Sequence, residues 1–334
     1  MDFHNRPQLH ATAAERLKKA PEAAAKIAVI YGGLVVLASL LSTVVSYFLG
    51  TQINNYGGLG NMGIRSALTT VRSILPMALN LLLMAVELGF LNAMLRIGRG
   101  QFASPNSLRM GFDRFWPLLK VVLLQSGLYL LAGMASFYIA MQIFTFTPAM
   151  KEISDILMPL ISGPVTADPA TLMADPALAA QMVHAMIPLF VIMAVVMLAL
   201  SIPIFYFYRM VNYIVIDKPG MPAMWIMRES RKMMRHNCLP MFRLDLSMWW
   251  YYLAMILASV VCYGDAILPL LGVELPISPM VSYFLFLLLY LAASFAIICF
   301  LRPHVEVTYA LAYESLKPKE QPTQGAVLGN IFNM

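Results

Sequence analysis

The chain has 334 residues, of which 60% are hydrophobic and 12% are charged. A soluble domain carries about twice that charged fraction, so the composition excludes an ordinary soluble globular protein. It predicts a polytopic membrane protein, whose lipid-facing surface must be apolar because no water solvates it. The formal net charge of +6 does not indicate nucleic-acid binding, since the basic residues cluster at the ends of apolar segments rather than on a soluble domain.

Six apolar segments follow one another along the chain, and each is about as long as the roughly 20 residues that a bilayer core requires. Residues 1–25 are polar and basic, and they predict a short helix that leads into the membrane. The predicted spans are residues 26–50, 73–95, 115–144, 184–210, 248–267 and 279–301. They form one membrane domain over residues 26–316. The chain is polar after the sixth span, from Arg302 to Met334, and we expect residues 317–334 to be flexible. Before the fourth span, Asp168-Pro169 and Asp175-Pro176 each predict a helix start.

The lysines and arginines sort to one side of this arrangement. All but three of the 23 basic residues fall in the N-terminal segment, the second and fourth loops and the tail. The exceptions are Arg65, Arg72 and Lys151. Cytoplasmic segments of membrane proteins carry such an excess, so both termini are predicted to be cytoplasmic. The three cysteines match no zinc or redox spacing, and we expect no disulfide.

A basic stretch, from Tyr206 to Ser247, separates the fourth and fifth spans. Pro219-Gly220 ends the preceding helix, and an amphipathic helix is predicted over about residues 221–236. Its basic face consists of Arg228, Arg231, Lys232 and Arg235, and another face carries Met224, Met227 and Met234. A basic amphipathic helix beside a membrane span is typical of a helix that lies in the headgroup layer.

Two interpretations of this basic face stay open. It either anchors the protein on anionic lipid headgroups, at about 1 kcal/mol for each charge, or it binds one particular headgroup or a protein partner. The predicted partners are therefore the lipid bilayer and its anionic headgroups, with a protein partner on the second interpretation. No oligomeric state is predicted.

A carboxylate stands inside the second span, at Glu87. Ionised carboxylates are costly at that depth, and they therefore face a partner or a wet cavity. Asn80 lies about two helical turns earlier on the same face, and Gln125 lies at a similar depth in the third span. A polar cluster of Asn80, Glu87 and Gln125 is therefore predicted. The cluster is either an ion, proton or headgroup site, or a protonated Glu87 that bonds to neighbouring helices.

No motif for catalysis is found in the sequence. GxSxG and HExxH are absent, and neither His184 nor His304 has another ligand at the spacing of a metal site. We therefore expect a protein that is not an enzyme and that binds no metal or cofactor. Two or more of Glu87, Asp245, His304 and Glu306 around one cavity would reverse that expectation.

Several short segments, in order along the chain, carry a resemblance to a known family. They are Gly111-Phe112, Pro203 through Tyr213 to Asp217-Lys218-Pro219, Ser230-Arg231-Lys232-Met233-Met234, Phe242, Leu244 to Ser247, Pro303-His304-Val305-Glu306, Tyr309 and Tyr313-Glu314. On these segments the chain resembles the bacterial membrane proteins of domain-of-unknown-function family 975, mostly from Gram-positive anaerobes. His236 and His304 stand where that family looks to have Gly and Tyr. More distantly, the chain looks like the membrane domain attached to some glycerophosphodiester phosphodiesterases.

The resemblance implies a multi-span plasma-membrane protein, and it supplies no reaction and no catalytic residue. The predicted fold is an all-α polytopic membrane helical bundle of six transmembrane helices with a cytoplasmic amphipathic interfacial helix. The predicted function is a non-enzymatic membrane component that binds lipid or a partner through the basic face. The alternative is a transporter or channel component that uses the polar site around Glu87.

Overall fold

The computed structural model describes residues 5–55, 62–162, 176–270 and 277–317. Within these ranges the chain is helical and contains no strand, which confirms the predicted all-α class. The predicted helix start at Asp168-Pro169 and the predicted flexible tail after Lys317 lie outside the described residues. The chain divides into two compact units, one made of residues 1–118 and 210–334 and the other of residues 119–209.

The helices are, in chain order, α1 (Arg6–Lys19), α2 (Pro21–Asn55), α3 (Met62–Gly98), α4 (Met110–Asp113), α5 (Phe115–Phe144), α6 (Pro148–Ser162), α7 (Pro176–Phe207), α8 (Val211–Asp217), α9 (Ala223–Met234), α10 (Cys238–Ser247), α11 (Trp249–Cys262), α12 (Gly264–Leu270), α13 (Pro279–Ala296) and α14 (Arg302–Leu316). A 3₁₀ turn, Pro105–Arg109, precedes α4. A π-helical turn, Ile297–Leu301, joins α13 to α14. α7 begins at Pro176, the proline that the sequence places at a first helical position.

Five helical stretches are long and apolar enough to cross a bilayer core, judged by length and composition. They are Pro21–Asn55, Gly63–Gly98, Phe115–Phe144, Ala180–Asp217 and Met280–Leu316. α10 and α11, which meet at 64°, add a sixth if they are counted as one broken span. α11 alone has 14 residues and is about 21 Å long, which is shorter than a hydrocarbon core of about 30 Å. The protein is a multi-pass membrane protein with five or six spans in the part of the chain that the structure describes.

The unit of residues 119–209 is built from most of α5 together with α6 and α7. Phe144 and Leu189 belong to one buried apolar cluster in it. The Ser136 hydroxyl donates to the carbonyl of Met193 at 2.9 Å, which ties α5 to α7. Many large apolar side chains on these two helices are exposed, as a surface in contact with lipid requires.

The other unit has its buried core at one end of its long helices. In α3, nearly all residues from Ala85 to Gly98 are buried, whereas the first half of the same helix is exposed. In α2, burial is likewise concentrated near the start, around Ile27 and Tyr31. α1, α8 and α14 pack onto this end of α3. The apolar residues farther along α2 and α3 remain exposed, and lipid would cover them.

Two glycines allow the segment after α3 to cross back over that helix in backbone contact. A Cβ at Gly111 would overlap the carbonyl oxygen of Ala85, and a Cβ at Gly89 would overlap the backbone of Leu108. Any larger residue at either position must push the two segments apart. Gly111 is also one of the residues on which the family resemblance depends.

The sixth apolar segment differs from its prediction at its C-terminal end. The sequence predicts a span that ends at Leu301 and a polar tail after it. The structure instead continues through the π-helical turn into α14, most of which is buried, including Val305, Val307 and Leu311. The physical reason is that α1 and α3 pack against α14 and cover its apolar residues. Hydropathy averaged over this segment does not reveal the contact, because charged residues lie between the apolar ones.

Candidate functional site

α14 carries most of the polar contacts in the core of its unit. It follows the π-helical turn Ile297–Leu301, a local irregularity that is frequent at functional sites. The side chains that make these contacts are Arg302, His304, Glu306, Tyr309, Tyr313 and Glu314, and Lys317 follows directly after the helix. They fall into three groups, of which two lie in the first half of α14 and one lies at its last turn.

The first group is centred on the guanidinium of Arg302, whose side chain is only 16% exposed. Its Nη1 donates to the Tyr31 hydroxyl at 2.8 Å, and its Nε donates to Glu306 Oε1 at 3.3 Å. Its Nη2 forms an ion pair with Glu87. The guanidinium carbon also lies 5.0 Å from the ring centre of Tyr31 and 5.6 Å from that of Phe90, which is within the range of cation–π attraction.

This group contains two carboxylates for one guanidinium. Glu306 is 14% exposed and also accepts a hydrogen bond of 3.3 Å from the Tyr213 hydroxyl, whereas Glu87 keeps 42% of its side chain exposed. A buried charge is stable only when it is paired and hydrogen-bonded. The ion pair therefore supplies the partner that a carboxylate at this position in α3 needs.

In the structure, each of the three members of the predicted polar cluster has a different environment. Glu87 points to Arg302, and Asn80, on the same helix, is exposed. Gln125 is half-buried and belongs to the other compact unit. The partner that the sequence analysis missed is Arg302, which it assigned to a polar tail.

The second group joins the last turn of α14 to the ends of α3 and α8. The Arg99 Nη2 atom donates to both carboxylate oxygens of Asp217, at 2.8 and 2.9 Å, and its Nε donates to Glu314 Oε1 at 3.0 Å. The Tyr313 hydroxyl donates to Asp217 Oδ2 at 2.9 Å, and Lys317 pairs with Asp217 as well. Burial by itself lowers the pKa of Arg99, but its hydrogen bonds to Asp217 and Glu314 outweigh burial and raise it. This network fixes three chain segments in one place.

Arg114 lies beside this network without joining it through a carboxylate bond. Its Nη1 donates to the carbonyl of Val215 at 3.3 Å. Burial lowers the pKa of its guanidinium, and the nearby charge of Arg96 acts in the same direction, while Asp217 opposes both. The residue therefore fastens the segment between α4 and α5 to the backbone of α8.

The third group surrounds the first half of α14. His304 contacts His10 of α1, and His10 in turn contacts Ser247 at the end of α10. One turn farther along, the Tyr309 hydroxyl donates to Asp245, and the hydroxyls of Tyr252 and Tyr309 lie 2.8 Å apart. Both contacts bind the bent pair α10 and α11 to α14.

The four side chains named above as the test of the non-enzymatic expectation are distributed over two of these groups. Glu87 and Glu306 meet on Arg302, whereas Asp245 is bound by Tyr309 and His304 by His10. Among the residues that the structure describes, no three His, Cys, Asp or Glu side chains converge as a metal site would need.

The basic face predicted between the fourth and fifth spans lies on α9. Arg228, Arg231, Lys232 and Arg235 are all exposed. The opposite side of the helix is buried at Ile226, Met227, Ser230, Met233 and Met234, and Met224, which the sequence analysis grouped with the buried methionines, is exposed. The Lys218 ammonium lies 5.2 Å from the centre of the Trp225 ring, at the start of the same helix.

One sequence signal could have revealed the networks of α14. Arg302 and Glu306 are four residues apart, as are Tyr309 and Tyr313, and these spacings place each pair on one helical face. Val305 and Ala312 continue an apolar pattern between them. Reading Arg302–Leu316 as a partly buried helix would have identified these side chains as candidates.

The family model described as "Protein of unknown function (DUF975)" matches residues 1–320 of the chain. No curated protein and no solved structure gives a match. The matched residues include α1, α9 and α14, and therefore all three polar networks and the basic face. Since the match extends over nearly the whole chain, the protein belongs to the DUF975 family of proteins of unknown function.

Proposed function

We propose that this protein is a non-enzymatic component of the bacterial plasma membrane whose basic helix α9 binds anionic lipid headgroups. The observation that carries the proposal is the division of α9 into two faces. Arg228, Lys232 and Arg235 are exposed on one face, and Met227 and Met234 are buried on the other. The arrangement presents positive charge outward on a helix that is fixed to the protein by its apolar side.

The excess of basic residues supports the orientation in which both termini and α9 are cytoplasmic. The inner leaflet carries the anionic lipids, and each lysine or arginine near its surface contributes about 1 kcal/mol. Three such charges together would favour anionic over zwitterionic lipid by on the order of a hundredfold at low ionic strength. A preference of this size would order anionic lipid next to α9.

Trp225 provides a local reporter for this contact, because it lies in α9 itself. The other three tryptophans, Trp116, Trp249 and Trp250, are replaced by Phe, and the protein is reconstituted in nanodiscs of phosphatidylcholine and phosphatidylglycerol. Bromine atoms on the acyl chains of one lipid at a time then quench Trp225 fluorescence. We expect stronger quenching by brominated phosphatidylglycerol than by brominated phosphatidylcholine, and we expect this difference to shrink as salt screens the charges.

The variant Arg228→Ala/Lys232→Ala/Arg235→Ala should lose most of the preference for phosphatidylglycerol. Its matched control is Arg65→Ala/Arg72→Ala/Lys151→Ala, which removes the same charge from the side with few basic residues and should keep the preference. Equal quenching by the two lipids in the parent protein would contradict the proposal. So would an unchanged preference in the α9 variant.

A transporter or channel component is the second candidate, and the exposed part of Glu87 favours it. This carboxylate keeps 42% exposure while it pairs with Arg302, so a ligand could compete for it. Flux into proteoliposomes that contain wild-type protein or Glu87→Gln tests the idea. Transport requires flux in the wild type and a clear loss of flux in the variant, and an unchanged rate or no flux at all removes this candidate.

A further inference from the structure

The N-terminal helix α1 is attached to its unit through a hydrogen-bonded chain that includes two histidines. His10 Nε2 lies 2.8 Å from Ser247 Oγ, and His10 Nδ1 lies 3.3 Å from His304 Nε2. The two ring planes differ by only 12°. Beside them, Leu9 and Ala13 of α1 are fully buried. His10 therefore links α1 at once to the end of α10 and to the first turn of α14.

The bonds around Ser247 decide which ring nitrogens carry protons. The Ser247 hydroxyl donates its one proton to the carbonyl of Leu244 at 2.6 Å, so it can only accept from His10. The His10 proton must then be on Nε2, which leaves Nδ1 as an acceptor. His304 Nε2 must therefore carry the proton that it donates to His10.

This arrangement tolerates one additional proton and rejects a second. The first can bind to Nδ1 of His304, which lies away from His10, and every bond of the chain is kept. The second would have to bind to Nδ1 of His10, which is already occupied as an acceptor. Two N–H groups would then point at each other between two charged rings, and only separation of α1 from α14 relieves the conflict.

The charged groups around His10 strengthen this effect. Arg6, one turn earlier on α1, donates to the carbonyl of Arg243 on α10 at 3.3 Å, which places its positive charge close to His10. Burial, and then the charge of Arg6, lowers the pKa of His10. From α14 the facing titratable group is His304, and from α10 the facing group is the uncharged Ser247. The carboxylate of Asp245, also on α10, is engaged by Tyr309.

We propose that His10 and His304 form a pH-sensitive latch that holds α1 on α14 near neutral pH and releases it in acid. Release frees a helix that carries four basic residues, Arg6, Arg16, Lys18 and Lys19, and uncovers the first turn of α14. The released form binds one proton more than the docked form. The ratio of released to docked α1 therefore rises by at most about tenfold for each pH unit below about 6.5. The latch is independent of lipid binding by α9.

Hydrogen exchange of the backbone amides in residues 6–19, measured by mass spectrometry on the full chain in nanodiscs, tests the latch. In the wild type, opening of α1 at pH 5.5, corrected for the intrinsic exchange rate, should exceed opening at pH 7.5 several-fold. α9 contains no histidine and serves as the internal reference, which should not change. An α1 that stays protected to the same degree at both pH values overturns the proposal.

Two variants each remove one titrating ring and keep a hydrogen bond between positions 10 and 304, and His304→Gln also leaves the bond from His10 to Ser247 intact. In His10→Asn and in His304→Gln, an amide replaces an imidazole, so either variant at pH 5.5 should keep α1 several-fold more protected than the wild type. His236→Asn, at an exposed histidine on a different segment, is the matched control and should respond to acid as the wild type does. Equal acid response in all four proteins overturns the latch. An α1 already released at pH 7.5 in His304→Gln overturns it as well, because that variant retains both bonds that hold the neutral form.

Discussion

Arg302 and Glu87 form an ion pair although 215 residues separate them in the chain. The pair joins the first turn of α14 to the buried half of α3, next to the ring of Tyr31 in α2. Three of the longest helical stretches are thus connected through one guanidinium. The charges that looked isolated in the sequence are components of the same packing contact.

Removal of the guanidinium should destabilise the protein strongly. In Arg302→Met, the carboxylates of Glu87 and Glu306 lose their partner, and breaking a buried ion pair costs about 3–5 kcal/mol. We expect the lower end of that range, because 42% of the Glu87 side chain is exposed. Unfolding in mixed detergent micelles, followed by circular dichroism, measures the change. Arg302→Met/Glu87→Gln should recover part of the loss, and a loss below about 1 kcal/mol in the single variant would contradict this role of the pair.

Arg99 and Asp217 should be energetically coupled. A double-mutant cycle with Arg99→Ala and Asp217→Ala is expected to give a coupling free energy of about 1–2 kcal/mol, since their side chains are only 24% and 12% exposed and two hydrogen bonds join them. The exposed pair of Glu22 and Lys26 is the control, and its cycle should show no measurable coupling. Additive effects at Arg99 and Asp217 would contradict the network.

Gly111→Ala should disturb the backbone crossing between α3 and α4. The added methyl group overlaps the carbonyl of Ala85, and overpacking of this kind costs about 1–3 kcal/mol. Gly133→Ala is the control, because nothing lies within 4 Å of the new methyl group there. That substitution should be neutral or stabilising by up to about 1 kcal/mol through helix propensity. Thermal unfolding of both variants in the same detergent checks the difference.

The stability of the α1 contact should fall in acid. The pKa of His10 is lowered in the folded protein, so the unfolded chain binds a proton that the folded one rejects. The stabilising contribution is therefore complete above the ordinary histidine pKa of about 6.5 and is lost as the pH falls below it. His10 is partly exposed, so screening keeps the effect well below the limit of about 1.4 kcal/mol per pH unit. Midpoints of thermal unfolding at pH 7.5 and 5.5 should differ less in His10→Asn than in the wild type.

The basic face and the apolar segments could both be predicted from the order of the residues. Arg228, Lys232 and Arg235 share a face because an α-helix repeats every 3.6 residues, and this depends on no other part of the chain. The burial and the length of α14 could not be predicted in the same way. Its apolar side is covered by α1 and α3, and the sequence of α14 does not contain that information.

The sequence by itself determined that lipid surrounds much of this protein and which residues share one face of a helix. Both follow from composition and from local periodicity, which act over a few residues. Only the tertiary structure decided the partners of the buried charges, because Arg302 with Glu87, Arg99 with Asp217 and His10 with His304 are each more than a hundred residues apart. Contacts of that kind depend on how the helices pack, and a charge within an apolar segment shows that it needs a partner without showing which one.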